Sequence, residues 1–191
     1  MRKIIATTWV TLDGYMAGSK GEMDWVTSIF DDAMGKYEDE VVSNADTLLL
    51  GRVTYQSFAG SWPKMAENQS VPEEVREYGR KLNAIRKVVF SKTLDKVEWN
   101  NSTLAREVVP EAIERMKQEP GKDMLIYGSA SIVQALTNLR MIDEYQLLFH
   151  PFFLAGGKPL FEGLNEKTKL KLSRSKTHPS GVVLLCYEPV R

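Results

Sequence analysis

The chain of 191 residues carries 25 basic and 25 acidic side chains, for a formal net charge of zero. Hydrophobic residues make up 43% and charged residues 26%, which argues against disorder and against a general nucleic-acid or anionic-membrane surface. A single domain spanning residues 1–191 buries roughly 70% of its unfolded surface and needs neither metal nor disulfide to be stable.

The one cysteine, Cys186, lies in the apolar run Val182 to Tyr187 and is expected as a small buried residue of a strand. His150 and His178 are far apart in the chain and make no metal-ligand spacing, so no metal is expected. The N-terminal apolar run is broken by Thr7, Thr8, Thr11 and Asp13, too short and polar for a signal peptide, and no other run reaches membrane-spanning length. The expectation is a soluble cytoplasmic protein without a membrane or nucleic-acid partner.

Ile4 to Val10 is apolar and β-rich and is followed by the turn signal Asp13-Gly14, which predicts a strand. Phe30, Ala33, Met34, Tyr37 and Val41 fall on one face of a helix. Thr47 to Leu50 reads as a strand ended by Gly51, and Arg52 to Phe58 leaves room for a short helix. Pro72 to Leu82 reads as a helix whose opening proline and glutamates suit a first turn. Val88 to Phe90 is a short strand, Val97 to Leu104 holds one or two more, and Pro110 to Lys117 is a helix. Met124 to Tyr127 is a strand ended by Gly128. Ser129 is placed to cap a helix striped by Ile132, Leu136 and Leu139. Glu144 to Phe149 is a strand, and Lys169 to Lys176 with Val182 to Tyr187 forms a closing antiparallel hairpin. The alternation predicts an α/β fold of three layers: a mostly parallel mixed sheet, helices on both faces, and the hairpin at one edge.

Ligands of such sheets sit outside the carboxyl ends of the strands, which singles out three places. After Leu50, Gly51 lets backbone approach a ligand closely, Arg52 supplies a cation, Thr54 a hydroxyl, and the next helix its first amides. After Phe90 come Ser91, Lys92 and Thr93, two hydroxyls and a cation with no acid before Asp95, which suits a 2′-phosphate and so NADPH over NADH. After Tyr127, the small residues Gly128, Ser129, Ala130 and Ser131 open a helix against which a pyrophosphate can lie. Neither a P-loop nor a complete G-x-G-x-x-G is present, and Gly156-Gly157-Lys158 reads as a turn.

Four segments together resemble the dihydrofolate reductase superfamily, and within it the branch related to the C-terminal reductase domain of the bacterial bifunctional riboflavin-biosynthesis deaminase/reductase. They are Thr11 to Ala17, Asp46 to Phe58 with its Gly51-Arg52-Val53-Thr54-Tyr55, Val88 to Thr93, and Leu125 to Ala130 together with Met141 to Glu144 and Pro151 to Phe161. The resemblance implies a sheet of about eight strands, a homodimer, and NADPH bound across the strand ends. Gly51, Arg52 and Thr54 would lie near the phosphates, Ser91, Lys92 and Thr93 at the adenosine end, and Gly128, Ser129, Ala130 and Ser131 at the pyrophosphate. Gly14 and Asp13 would lie in the loop over the nicotinamide, with Thr8 and Val10 beneath it.

The substrate side departs from the family pattern. The place of the pterin-binding carboxylate falls near Gly35; Tyr127 stands where the riboflavin-pathway reductases carry Glu, and Ser129 replaces the second glycine of their pair. Asp13 is either the acid that polarises substrate or orients a water, or the anchor of an Asx-turn with Gly14. Trp25 either walls the substrate pocket or belongs to the core. Asp31 is the candidate substrate acid of the first helix, although Asp31, Asp32 and Glu38 are each expected as solvated charges. The leading expectation is an NADPH-dependent reductase of a small pterin- or pyrimidine-like heteroaromatic or a carbonyl substrate. The riboflavin-pathway 5-amino-6-(5-phosphoribosylamino)uracil reductase and a non-catalytic nucleotide-binding module are the alternatives.

Overall fold

The computed structural model describes residues 1–190. Strand β1 (Ile4–Thr11) alternates strictly, with Ile4, Ala6 and Val10 in one buried cluster and Trp9 in another on the opposite face. The chain turns at Gly14 (φ 86°) into the short strand β2 (Tyr15–Ala17) and a single helical turn, α1 (Asp24–Thr27). Helix α2 (Asp32–Ser43) leads to β3 (Ala45–Gly51), α3 (Arg52–Glu67) and α4 (Glu73–Ala84). Then follow β4 (Arg86–Phe90), β5 (Ser102–Ala105), α5 (Pro110–Gln118), β6 (Asp123–Tyr127), α6 (Ala130–Asn138) and β7 (Glu144–His150). The two-residue β8 (Lys158–Pro159) precedes the hairpin β9 (Leu170–Thr177) and β10 (Val183–Pro189).

Eight strands form one sheet in the order β5-β4-β3-β6-β1-β7-β10-β9. The first six run parallel, and β10 and β9 continue the sheet antiparallel. Residues of α5 and α6 pack with Ile4, Ala6, Met124 and Ile126 on one face. On the other face Tyr55 and Leu82 pack with Leu48, Leu50 and Leu125, and Met34 and Tyr37 with Leu148 and Leu184. The sheet of about eight strands, helices on both faces and C-terminal hairpin match the architecture expected from the pattern. No helix among the described residues is long and apolar enough to cross a membrane.

Three local readings are corrected. Helix α3 does not stop near Phe58 but runs to Glu67 with Pro63 inside it, and a close approach at Gly79, where a Cβ would lie 3.1 Å from the Ala66 backbone nitrogen, lets α4 pack on it. The inward face of α2 is Met34, Tyr37, Glu38 and Val42, whereas Phe30 precedes the N-cap and is 45% exposed. Leu139 lies past the end of α6 as its C-cap and is exposed rather than inward.

Beyond the main sheet, β2 pairs antiparallel with β8, so the turn read at Gly156-Gly157 also places β8 on the loop that follows β1. The approach is so close that a Cβ on Gly157 (φ 139°) would lie 2.1 Å from the Ala17 carbonyl oxygen. Gly157→Ala therefore combines a steric collision with left-handed backbone strain and is expected to destabilise the protein by about 2–4 kcal/mol. Urea unfolding followed by circular dichroism measures this; a variant as stable as the parent would show that the pairing is loose.

Candidate functional site

Because β1, β3, β4 and β6 are parallel, their carboxyl ends share one edge of the sheet, and the sequence-selected residues lie along it. At the centre, Gly51 ends β3 and Gly128 (φ 64°) follows β6, with the Gly128 amide donating to the Thr7 carbonyl of β1 at 3.1 Å. Ser129 is also left-handed (φ 62°) and does not cap α6 as expected: its hydroxyl makes no capping bond. Instead Ser129 Oγ accepts from the Gly51 amide and donates to Thr54 Oγ1, each at 2.8 Å. This hydroxyl joins the starts of α3 and α6, and no side chain caps either helix.

A Cβ on Gly51 would lie 3.3 Å from Ser129 Oγ and 3.4 Å from Ser131 Oγ, and one on Gly128 would lie 3.6 Å from Thr54 Oγ1. Two uncapped helix N-termini, two glycines and three hydroxyls thus meet in one place, an arrangement of donors suited to an anion. Arg52, the first residue of α3, is exposed and bonds Gln56 at 3.3 Å. Val10 is buried in the core, and Thr8 Oγ1 on the same strand face is buried without a partner. At the end of β4, the buried Ser91 accepts from the amides of Thr93 and Leu94 at 3.2 and 3.0 Å, which fixes the loop. Lys92 and Thr93 stand exposed there, and Lys92 is 3.2 Å from Glu107.

Asp13 is placed in the loop after β1 as expected, but its carboxylate is fully engaged. Oδ1 accepts from the Thr11 hydroxyl at 2.5 Å, and Oδ2 accepts from the amides of Leu154 and Ala155 at 3.0 and 2.9 Å. The Thr11 hydroxyl, followed by those amides, holds the carboxyl below the usual aspartate range. Asp13 thereby ties the β1–β2 loop to the segment after β7, the opposite of what a proton donor requires. Asp31 is likewise occupied: it caps α2 through the Met34 amide at 2.8 Å and accepts from the Ser180 amide at 3.0 Å. Trp25 is 4% exposed and stands edge-on to His150, ring centres 4.9 Å apart.

Glu38 departs from its expected place on the surface. It is not a solvated charge but lies 4% exposed on the inner face of α2, where Oε1 accepts from Trp9 Nε1 at 2.8 Å and Oε2 is buried without a partner. Burial raises its pKa to about 8, against the lowering effect of the Trp9 bond, so it is a neutral acid at pH 7. Trp9 is in turn packed edge-on by the exposed Phe30, ring centres 6.2 Å apart. His150 and His178, distant in the chain, are both buried on this side, His150 against Trp25 and Trp9 and His178 against Tyr37. The signal available was the place of Glu38 one position after Tyr37 and four after Met34, on the apolar stripe itself.

The chain matches the family described as the RibD C-terminal domain over residues 2–184. It is 34% identical over 186 residues to the uncharacterized protein YyaP of Bacillus subtilis, covering 97% of this chain and 94% of that protein. Among solved structures, it resembles a putative riboflavin biosynthesis protein from Shewanella sp. PV-4 with a TM-score of 0.76 at 20% identity, covering 99% of each chain. It also resembles a dihydrofolate reductase from Enterococcus faecalis complexed with NADP(H) and RAB-propyl, with a TM-score of 0.64 at 13% identity, covering 99% of this chain and 97% of that one.

The buried acid has a thermodynamic signature. An unfolded glutamate ionises near its ordinary pKa of 4.5, whereas folded Glu38 holds its proton to about 8. Its contribution to stability is therefore full below pH 4.5 and is lost as the pH rises to about 8. Relative to the parent, Glu38→Gln should gain stability between pH 5 and pH 8 by on the order of 3 kcal/mol. Paired urea melts at the two pH values measure the difference, and a constant offset would show that Glu38 is ionised in the folded protein.

Proposed function

This chain belongs to the RibD C-terminal domain family, and on that premise we propose that it is an NADPH-dependent reductase of a small planar heteroaromatic or carbonyl compound. The observation that carries the proposal is the meeting of the α3 and α6 N-termini across Gly51, Gly128 and the Ser129 hydroxyl, a cradle that a Cβ at Gly51 would crowd. The residues fit a dinucleotide. Gly51, Thr54, Gly128, Ser129, Ala130 and Ser131 would hold the pyrophosphate, with Arg52 nearby, and Ser91, Lys92 and Thr93 the 2′-phosphate end. Thr8, whose hydroxyl has no partner in the protein, and Val10 would lie under the nicotinamide, with Gly14 in the loop above. When bound, the cofactor supplies the hydride.

The protein's own part is to orient the reactants, exclude water and provide the proton. Trp9 and Phe30 offer an aromatic wall for a flat ring. Glu38 holds a proton at neutral pH, and because Oε1 is engaged by Trp9, the free Oε2 is the atom from which that proton leaves. Asp13 is assigned to holding the loop rather than to proton transfer, because all its bonds favour the charged form. Asp31 is assigned to capping α2 and Trp25 to the inner wall. Where riboflavin-pathway reductases carry a glutamate, Tyr127 is committed to a 2.9 Å bond with Tyr78 on α4, so we read the substrate as different from theirs.

Calorimetric titration tests the cofactor half. NADPH should bind at least tenfold more tightly than NADH, because a charged contact contributes about 1.5–3 kcal/mol, and Lys92→Glu should erase the preference. Equal affinities for the two nucleotides would overturn the assignment. For the acid, turnover of a reducible substrate should fall above pH 8 in the parent, and Glu38→Gln should lower turnover at least a hundredfold at pH 7 with NADPH affinity retained. An unchanged rate would remove Glu38 from the chemistry.

A further inference from the structure

We propose that the protein carries a second ligand site at the amino ends of its strands, which takes a small linear zwitterion: an ammonium and a carboxylate joined by an apolar chain. The site goes beyond the reductase reading and does not depend on it, because it lies at the edge of the sheet opposite Gly51 and Gly128. A cavity of about 310 Å³ runs there between the second half of α2 and the sheet, close to the lower size of small-molecule pockets. Its floor is Gln146 of β7, Ile5 of β1 and Leu125 of β6, and its roof is Tyr37 and Val41 of α2. Ile5 and Leu125 are register partners near the start of their strands.

Arg174 of β9, Glu40 of α2 and Asp123 of β6 also line this cavity. None of the three forms an ion pair among the described residues. They are sorted by sign along the cavity. Arg174 is the register partner of Cys186, and Cys186 of Gln146, so the three form one row across β9, β10 and β7. The guanidinium turns inward along this row to bond the buried Cys186 thiol, and its fork keeps N–H groups for a further acceptor. The acids lie at the other end. Asp123 opens β6, and its Oδ1 accepts from the Lys3 amide at 2.8 Å, which leaves Oδ2. Glu40 lies one turn beyond Tyr37, towards the end of α2 that feeds β3.

A simple anion would meet two carboxylates here, and a simple cation would meet the guanidinium. A molecule with one charge of each sign at its ends satisfies both. Its middle is apolar, because the polar floor is already met within the protein: Tyr37 donates to Gln146 Oε1 at 2.6 Å, and Gln146 Nε2 donates to Glu144 Oε1 at 2.7 Å. The topology also sets its length. Strand β10, where the guanidinium rests, and β6 are separated by β1 and β7, so they lie about 14 Å apart. A charged hydrogen bond at each end leaves about 8 Å between the ligand's charged groups, the span of an ω-amino acid of six carbons.

The probes are 6-aminohexanoate and its two single-charge analogues, hexanoate and hexylamine, titrated into the full chain and followed by 15N amide spectra. 6-Aminohexanoate should bind with a dissociation constant on the order of millimolar and shift the amides of Ile5, Val41 and Leu125 rather than those of Gly51 and Gly128. Each analogue should bind about fivefold more weakly, the size expected of a partly exposed ion pair. Arg174→Gln should bring 6-aminohexanoate down to the affinity of hexylamine, and Glu40→Gln should bring it towards that of hexanoate. Both side chains are exposed, so both variants keep the fold, which circular dichroism checks. No binding of 6-aminohexanoate at about 20 mM, equal affinity for either analogue, or an undiminished preference in Arg174→Gln overturns the site. Competition with NADPH, or shifts confined to Gly51 and Gly128, overturns it too. Failure to bind NADPH with the 6-aminohexanoate preference intact overturns the reductase reading instead.

Discussion

Parallel pairing is the constraint from which the rest of this structure follows. A parallel strand pair cannot be closed by a tight turn, so each return passes through a crossover that covers one sheet face. With β1 seated between β6 and β7 and β3 beyond β6, the carboxyl ends of these strands gather at one edge and each opens into a helix or a loop. Two consequences meet there. Helices α3 and α6 start side by side with no side-chain cap, and the odd-numbered side chains of β1 fall under α2, where Glu38 meets Trp9. The cradle at the ends of β3 and β6 and the acid beside Trp9 of β1 therefore lie at neighbouring strands of the same sheet.

The site is maintained at a cost to the interior around it. Glu38 Oε2, Thr8 Oγ1, His150 Nε2 and the Trp25 indole are all buried without partners, and Gly128 and Ser129 both stand in left-handed backbone. Groups of this kind oppose folding wherever they occur. The apolar clusters elsewhere, with Leu48, Leu49, Leu50, Met124, Leu125 and Ile126 essentially fully buried, offset that opposition. Local rules are broken where ligands are expected and obeyed in the surrounding core.

How far the sequence could be read follows from the same division. Strands and helices were legible because their signals are local: the β-rich run of β1, the glycines that end β3 and β6, and the proline that opens α5. The cradle was legible in part because small residues after a strand restrict what a turn can do. What Ser129 does was not, because its hydroxyl bonds Gly51 and Thr54 across more than seventy residues of chain. Glu38 was misread because charge suggests a solvated side chain, and only the packing of α2 over Trp9 shows that it points inward. His150 and His178 looked unrelated for the same reason, since spacing in the chain does not show that both are buried on the side of the sheet where α2 packs. Asp13 was found by its turn, but its role depends on the amides of Leu154 and Ala155, which no local pattern announces.

The contact between Trp9 and Glu38 also gives the protein an optical property. An indole whose N–H is bonded to a carboxyl group feels the charge of that group directly, and its emission and absorption respond to whether the group is neutral or ionised. Trp62 and Trp99 sit in the other cluster, with Tyr78 and Tyr55 beside them. Trp9 is therefore a built-in indicator of proton occupancy in the pocket, so the ionisation of one buried side chain becomes visible in the ultraviolet spectrum of the unlabelled protein.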